Sequence, residues 1–203
     1  MRRTISKFIA LLVAAAWLAV VANAAAVKEY FTENELDLIR DAQELGARVK
    51  IYRELAERRL IILGVAEKSE KQKEKERKAQ EQYEKEKKKA GSKAPAIKPP
   101  VDDLAYLHDF TRSELLRGYI QALDEIMSNI DDNYARKLDV RGAVEDLEAL
   151  SADTLPMLEK FEAKTAAEKT ALQEAIDKAK ETNASAREAL KKVPKTEKKK
   201  PPR

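Results

Sequence analysis

The sequence predicts an all-α protein: an antiparallel helical bundle or a set of long helical hairpins with a projecting charged helix and no β-sheet. Three observations support that class. Apolar residues recur at alternating four- and three-residue spacings over long stretches, the period that gathers side chains on one face of a helix. Two Thr-x-x-Glu signatures, Thr32 to Glu35 and Thr111 to Glu114, each stand between a phenylalanine and a leucine, as a capping box with a hydrophobic staple requires. The chain holds only five glycines, and no apolar run alternates with polar residues between turn signals, so strands find no support.

In chain order, Arg2, Arg3 and Lys7 precede an apolar run from Phe8 to Ala22, and Ala22-Asn23-Ala24 supplies the small residues of a cleavage site. Residues 1–24 therefore read as a signal peptide, cut before Ala25 or, as a second choice, after Ala26. The working chain is then expected to be exported, to the periplasm or the extracellular space. The competing reading extends the apolar stretch to Val27, close to the ~20 residues a membrane-spanning helix needs, and makes the leader an uncleaved membrane anchor. Ser6 stands where a twin-arginine signal wants an apolar residue, which favours the ordinary export route.

Residues 25–66 read as one amphipathic core helix. Thr32 caps it, Glu35 reaches back, and Phe31 staples onto Leu36. Leu38, Ala42, Leu45, Val49, Tyr52, Ala56 and Leu63 form the stripe, Arg59 interrupts it, and Ile51, Leu55 and Ile62 widen it enough to meet two neighbours. Residues 67–100 read as a charged helical extension followed by a Pro-rich linker. Glu67/Lys71, Glu74/Lys78, Glu81/Lys85 and Glu84/Lys88 stand four apart in the favourable order. Ala90-Gly91-Ser92 breaks that helix, and Pro95, Pro99 and Pro100 extend the chain beyond it.

Residues 101–192 read as a helical domain. Thr111 and Glu114 open its first helix, with Phe110 and Leu115 as staple and Leu116, Ile120, Leu123, Met127, Ile130 and Tyr134 as stripe. A bend is expected at Leu138-Asp139, then a short helix carrying Val140, Ala143, Val144, Leu147 and Leu150. Ser151 to Thr154 read as a break, with Pro156 in the first turn of a last helix running to Lys192. Its apolar face is expected to be Leu155, Leu158, Phe161, Leu172, Ile176 and Leu190, diluted by alanine. Residues 193–203 read as a basic disordered tail. The repeated Phe-Thr-x-x-Glu-Leu is taken as convergence, since each residue in it has a local capping role and nothing after it aligns.

Charge is segregated rather than absent. The 40 basic and 36 acidic residues of the whole chain become 37 and 36 once the leader's three cations are removed. Residues 25–66 carry −1, 67–100 carry +5, 101–190 carry −9 and 191–203 carry +6. The near balance withdraws most of the case for nucleic acid. It directs attention to an unknown protein partner or an anionic envelope surface, with a homo-oligomer as a further option. Without any cysteine, disulfides and thiolate metal sites are excluded.

Chemistry-bearing groups are sparse. His108, the sole histidine, precedes Asp109, but no nucleophile is matched to it locally, so it reads as a pre-helix residue near Phe110. Asp102-Asp103, Asp124-Glu125 and Asp131-Asp132-Asn133 lack the spaced ligands and turn glycine of a calcium loop and read as solvated helix faces and ends. Asn183-Ala184-Ser185 is a formal glycosylation sequon within an expected helix. No catalytic, cofactor-binding or metal-ligating residue is nominated, no cofactor is expected, and the chain reads as a non-enzyme. Signal peptide, absent cysteine, long charged helices and a basic end resemble the gross plan of small periplasmic holdase chaperones, which cradle unfolded membrane proteins between helical arms. The resemblance matches no motif, and the lack of strands departs from the sheet core of those proteins. The sequence thus points to an exported structural or interaction module of the cell envelope. A holdase-type chaperone, or an anchored helical protein if the leader is retained, stand as alternatives.

Overall fold

Thr32 behaves as its position before Glu35 predicts. Its hydroxyl accepts from the Glu35 amide at 3.3 Å while its own amide donates to Glu35 Oε2 at 2.9 Å. Thr111 and Glu114 reproduce both distances 79 positions later, 3.3 and 2.9 Å. These two boxes open helices of a computed structural model that describes residues 30–90 and 103–194. The expected signal peptide with residues 25–29, residues 91–102 of the expected Pro-rich linker and the expected tail beyond Pro194 lie outside the described residues. Among the described residues there are six α-helices and no strand: α1 (Glu33–Asp41), α2 (Leu45–Ile62), α3 (Glu70–Ala90), α4 (Arg112–Ala135), α5 (Arg141–Leu158) and α6 (Ala166–Lys192). A 3-10 turn, Ala105–Asp109, precedes α4.

Four helices build the bundle. α2 lies beside α4, α4 beside α6, α6 beside α5, and α5 closes the ring against α2. Cross-helix bonds give the directions. Arg48 reaches Asn129 and Tyr52 reaches Glu125, so α2 and α4 run antiparallel. Arg187 reaches Glu148 while Lys180 reaches Glu159, so α5 and α6 do as well. Lys178 pairs with Asp124 and Arg117 with Glu174, which makes α4 and α6 parallel neighbours. One end therefore gathers Leu45, Ala135, Arg141 and Lys192, and the other gathers Ile62, Arg112, Leu158 and Ala166. The segment from Leu63 to Thr111, which includes α3, leaves and rejoins the bundle at this second end.

The expected single helix over 25–66 is two helices. The chain leaves helical geometry at Ala42 and resumes at Leu45. That break shifts the phase of the stripe. Leu38 is 45% exposed, and α1 instead buries Glu35 and Ile39. In α2 the line Val49, Tyr52, Ala56 and Leu63 is buried as expected, and so is Arg59, the residue read as its interruption. In α4 the expected Leu116, Leu123 and Ile130 are buried. A second face, Leu115, Tyr119, Ala122 and Ile126, is buried beside them because α4 packs against two neighbours, and Tyr134 is left exposed.

No break occurs at Ser151 to Thr154, where α5 runs through to Leu158 with Pro156 in its last turn. The Ser151 hydroxyl donates to Leu147 O at 2.9 Å and that of Thr154 to Leu150 O at 2.7 Å, so both polar groups are satisfied within the helix instead of capping a new one. The last helix begins at Ala166 behind Thr165, whose hydroxyl accepts from the Glu168 amide at 3.1 Å. Its buried face is Ala171, Ala175, Ala179, Thr182 and Ala186, with Leu172, Ile176 and Leu190 only partly covered. Leu155 and Leu158 belong to α5, and Phe161 lies between the two helices. Alanine is thus the contact surface itself, and it lets the α6 backbone approach α4 and α5 closely.

Candidate functional site

The most unusual chemistry lies where α1, α2, the 3-10 turn and α4 converge. Arg59 and Glu35 are 1% and 2% exposed. Arg59 Nη2 donates to Glu35 Oε2 at 2.8 Å and Nη1 donates to Oε1 at 3.0 Å, a bidentate pair. The other two Nη protons go to Leu55 O at 2.9 Å and Tyr30 O at 2.7 Å, and the Tyr106 hydroxyl donates to Glu35 Oε1 at 2.8 Å. Phe31 lays its ring 4.9 Å from the guanidinium carbon. Burial alone would raise the Glu35 carboxyl. The Arg59 hydrogen bonds and charge outweigh it, aided by the Thr32 amide and the Tyr106 hydroxyl, and leave the carboxyl below its ordinary range.

Gly118 makes room for this cluster. A Cβ there would lie 2.4 Å from Arg59 Nε and 2.9 Å from Cδ, atoms that the hydrogen bonds hold in place. Among the described residues no buried side-chain nitrogen or oxygen lacks a hydrogen bond. The cluster ties the N-terminal helix and the returning linker to the bundle.

The second candidate is the arm. Of the α3 side chains described, all are exposed except Ala79 and Tyr83, which are half-covered. Lys78 pairs with Glu74 at 2.8 Å as the four-residue spacing predicts, whereas Glu81 pairs with Arg77 at 2.9 Å and Lys73 bridges Glu70 and Glu67 at 3.0 and 3.2 Å. Lys75 reaches Asp103 at 2.8 Å, linking the arm to the segment that rejoins the bundle.

The third candidate is a cleft of about 660 Å³ at the end where α4 stops, lined by Tyr134, Leu138, Val140, Val193 and Pro194 together with the oppositely charged Lys137 and Asp139. The Leu138 amide donates to Asn133 O at 3.0 Å and that of Lys137 to Tyr134 O at 2.9 Å, a Schellman turn with Lys137 left-handed at φ 60°. The end of α2 makes the same turn with glycine: Val65 donates to Leu60 O and Gly64 to Ile61 O, with Gly64 at φ 72°. No protein-family model, curated protein or solved structure matches the chain.

The residues weighed from sequence fall apart in space. His108 and Asp109 are exposed on the 3-10 turn, with His108 two residues before Phe110 as expected. Asp103 pairs with Lys75, Asp124 with Lys178, and Glu125 accepts from Tyr52, while Asp102 lies outside the described residues. Asp131 and Asp132 are exposed, and the Asn133 amide donates to Asn129 O. Asn183 is in α6, where its amide nitrogen donates to Glu148 O and to Ser151 Oγ, both at 3.2 Å. Sequence reasoning missed the Arg59–Glu35 pair. Its one signal was an arginine at a position where the four-three line demands an apolar residue.

Proposed function

We propose that this chain is an exported, non-enzymatic interaction module of the cell envelope, its bundle a rigid platform and α3 a charged spacer projecting from it. The observation that carries the reading is a helix of 21 residues solvated on nearly every described side chain, held in shape by its own ion pairs. Such a helix gains nothing from a core and is suited to setting distance. The holdase alternative finds less support, because α3 carries no apolar stripe with which to grip a client.

Two measurements test the proposal together. The chain recovered from the envelope fraction should have a mass that starts near Ala25; recovery of the intact chain from the cytosol would sink the export reading. Replacing residues 67–100 by a short Gly/Ser linker should leave a cooperative helical melt, and loss of cooperativity would refute the spacer role.

A further inference from the structure

Glu35 serves three elements at once. Its own helix, α1, carries it, Arg59 of α2 holds both its oxygens, and Tyr106 of the 3-10 turn donates to Oε1. Neither α1 nor the turn has a broad apolar hold of its own. Of the nine residues of α1 only Glu35 and Ile39 are buried, and of the five in the turn only Leu107, with Phe31 and Leu104 buried just before each. Both elements join the ring through extended backbone, at Ala42 and Glu44 before α2 and at Phe110 and Thr111 before α4. Two small elements thus hang on the four-helix ring by short links and meet at one carboxylate.

Departure of either element alone is penalised at that carboxylate. If α1 and Tyr30 left by themselves, the Nη atoms of Arg59 would keep only Leu55 O of their four acceptors, with the turn still packed beside them. Tyr106 would lose Glu35 and retain only Arg58 as a charged neighbour. A buried charge without its partner is among the costliest defects a fold can carry. If the turn left by itself, Glu35 would lose the Tyr106 hydroxyl while still held inside by Arg59. Leaving together, the two elements carry carboxylate and phenol into water and admit water to Arg59, so no polar group stays buried and unpaired. Tyr30 marks what they cover: its carbonyl accepts from Arg59 of α2 and its amide donates to Gln121 Oε1 of α4 at 3.1 Å.

We infer that α1 and the 3-10 turn form one strap that opens and closes as a unit over the seam between α2 and α4, latched at Glu35, while the four-helix ring stays folded. The coupling is reciprocal: drawing the returning segment away frees α1, and holding α1 in place holds the segment by which the chain returns from α3. The strap works in this way whether or not α3 sets a distance.

Native-state hydrogen exchange of the full chain tests the strap. It is read at the bonded amides of α1 and at Leu107 and Phe110, which donate to Leu104 O and Leu107 O. Tyr106→Phe removes a bond made by the turn and should speed exchange in α1 as much as in the turn, by ~10-fold or more. Ile39→Val trims α1 instead and should speed both by a common factor of ~2–10. In both variants the amides of α6 should keep their original rates. Acceleration confined to the element that carries the substitution would overturn the inference, because the two would then open separately. Acceleration of α6 equal to that of α1 would overturn it too, since the strap would open only with the ring. No acceleration in either variant would show that Glu35 is not the latch. None of these outcomes bears on whether the chain is exported or the arm is a spacer.

Discussion

At the residue scale, Arg59 and Gly118 form one unit. Replacing a glycine inside an exposed helix by alanine ordinarily gains about 0.8–1.0 kcal/mol of helix propensity. Here the added methyl would overlap Arg59 Nε, and overpacking typically costs ~1–3 kcal/mol. Gly118→Ala is therefore expected to destabilise the protein. In an Arg59→Met background, where the pinned guanidinium is gone, the same substitution should be neutral or stabilising. Urea melts of the four proteins in the cycle check this, and an unchanged sign in both backgrounds would show that Arg59 is not the obstacle.

Glu35 sets an acid limit. Its carboxyl lies below the ordinary value of 4.5 when folded, so its contribution is complete above that value and fades as pH falls through the lower folded value. Stability should decline with acid in that window. Glu35→Gln should flatten this part of the profile and lower stability at neutral pH by ~3–5 kcal/mol, the usual cost of leaving a buried partner unpaired. Tyr119, which shares a hydrogen bond with Thr154 and is pushed up to about 12 by burial, keeps its proton throughout that range.

At the element scale, the turn after α4 carries a cost that α2 avoids. Lys137→Gly removes a left-handed penalty of ~1–2 kcal/mol and gives back ~0.4–1 kcal/mol through the freer unfolded chain. A rise in melting temperature is expected. A variant that melts lower would mean the lysine is stabilised by contacts of its own. The same scale shows what the sequence could and could not tell. Thr32 and Thr111 announced their helices because a capping box is local, three residues wide and complete within itself. Thr165 with Glu168 carried the same spacing, yet Pro156 and the polar run at Ser151 to Thr154 drew the boundary ten residues too early. Whether a serine caps a helix or bonds back within one depends on whether the following backbone continues, which spacing alone does not decide. The face of α6 was hidden for a different reason: hydrophobicity ranks leucine above alanine, while close approach to two neighbours selects alanine. The Arg59–Glu35 pair spans 24 positions and two helices, and no local pattern joins them.

At the scale of the whole molecule, the described residues form a four-helix bundle with one strapped helix and one solvated arm. The all-helical class followed from period and caps, which are properties of each segment alone. The ring order did not, because α4 and α5 are consecutive yet meet only sparsely, and the partners of each helix are chosen by shape across the core. Because Leu63 and Thr111 stand at the same end, the intervening excursion returns to its starting level. Its return packs Leu104 and Leu107 into the core, whereas none of the described side chains of α3 is buried. The length of α3 can thus change by whole helical turns, about 5.4 Å at a time, without removing a described core side chain. If α3 is the spacer proposed above, selection can adjust its span as one adjusts a ruler, independently of the fold that holds it.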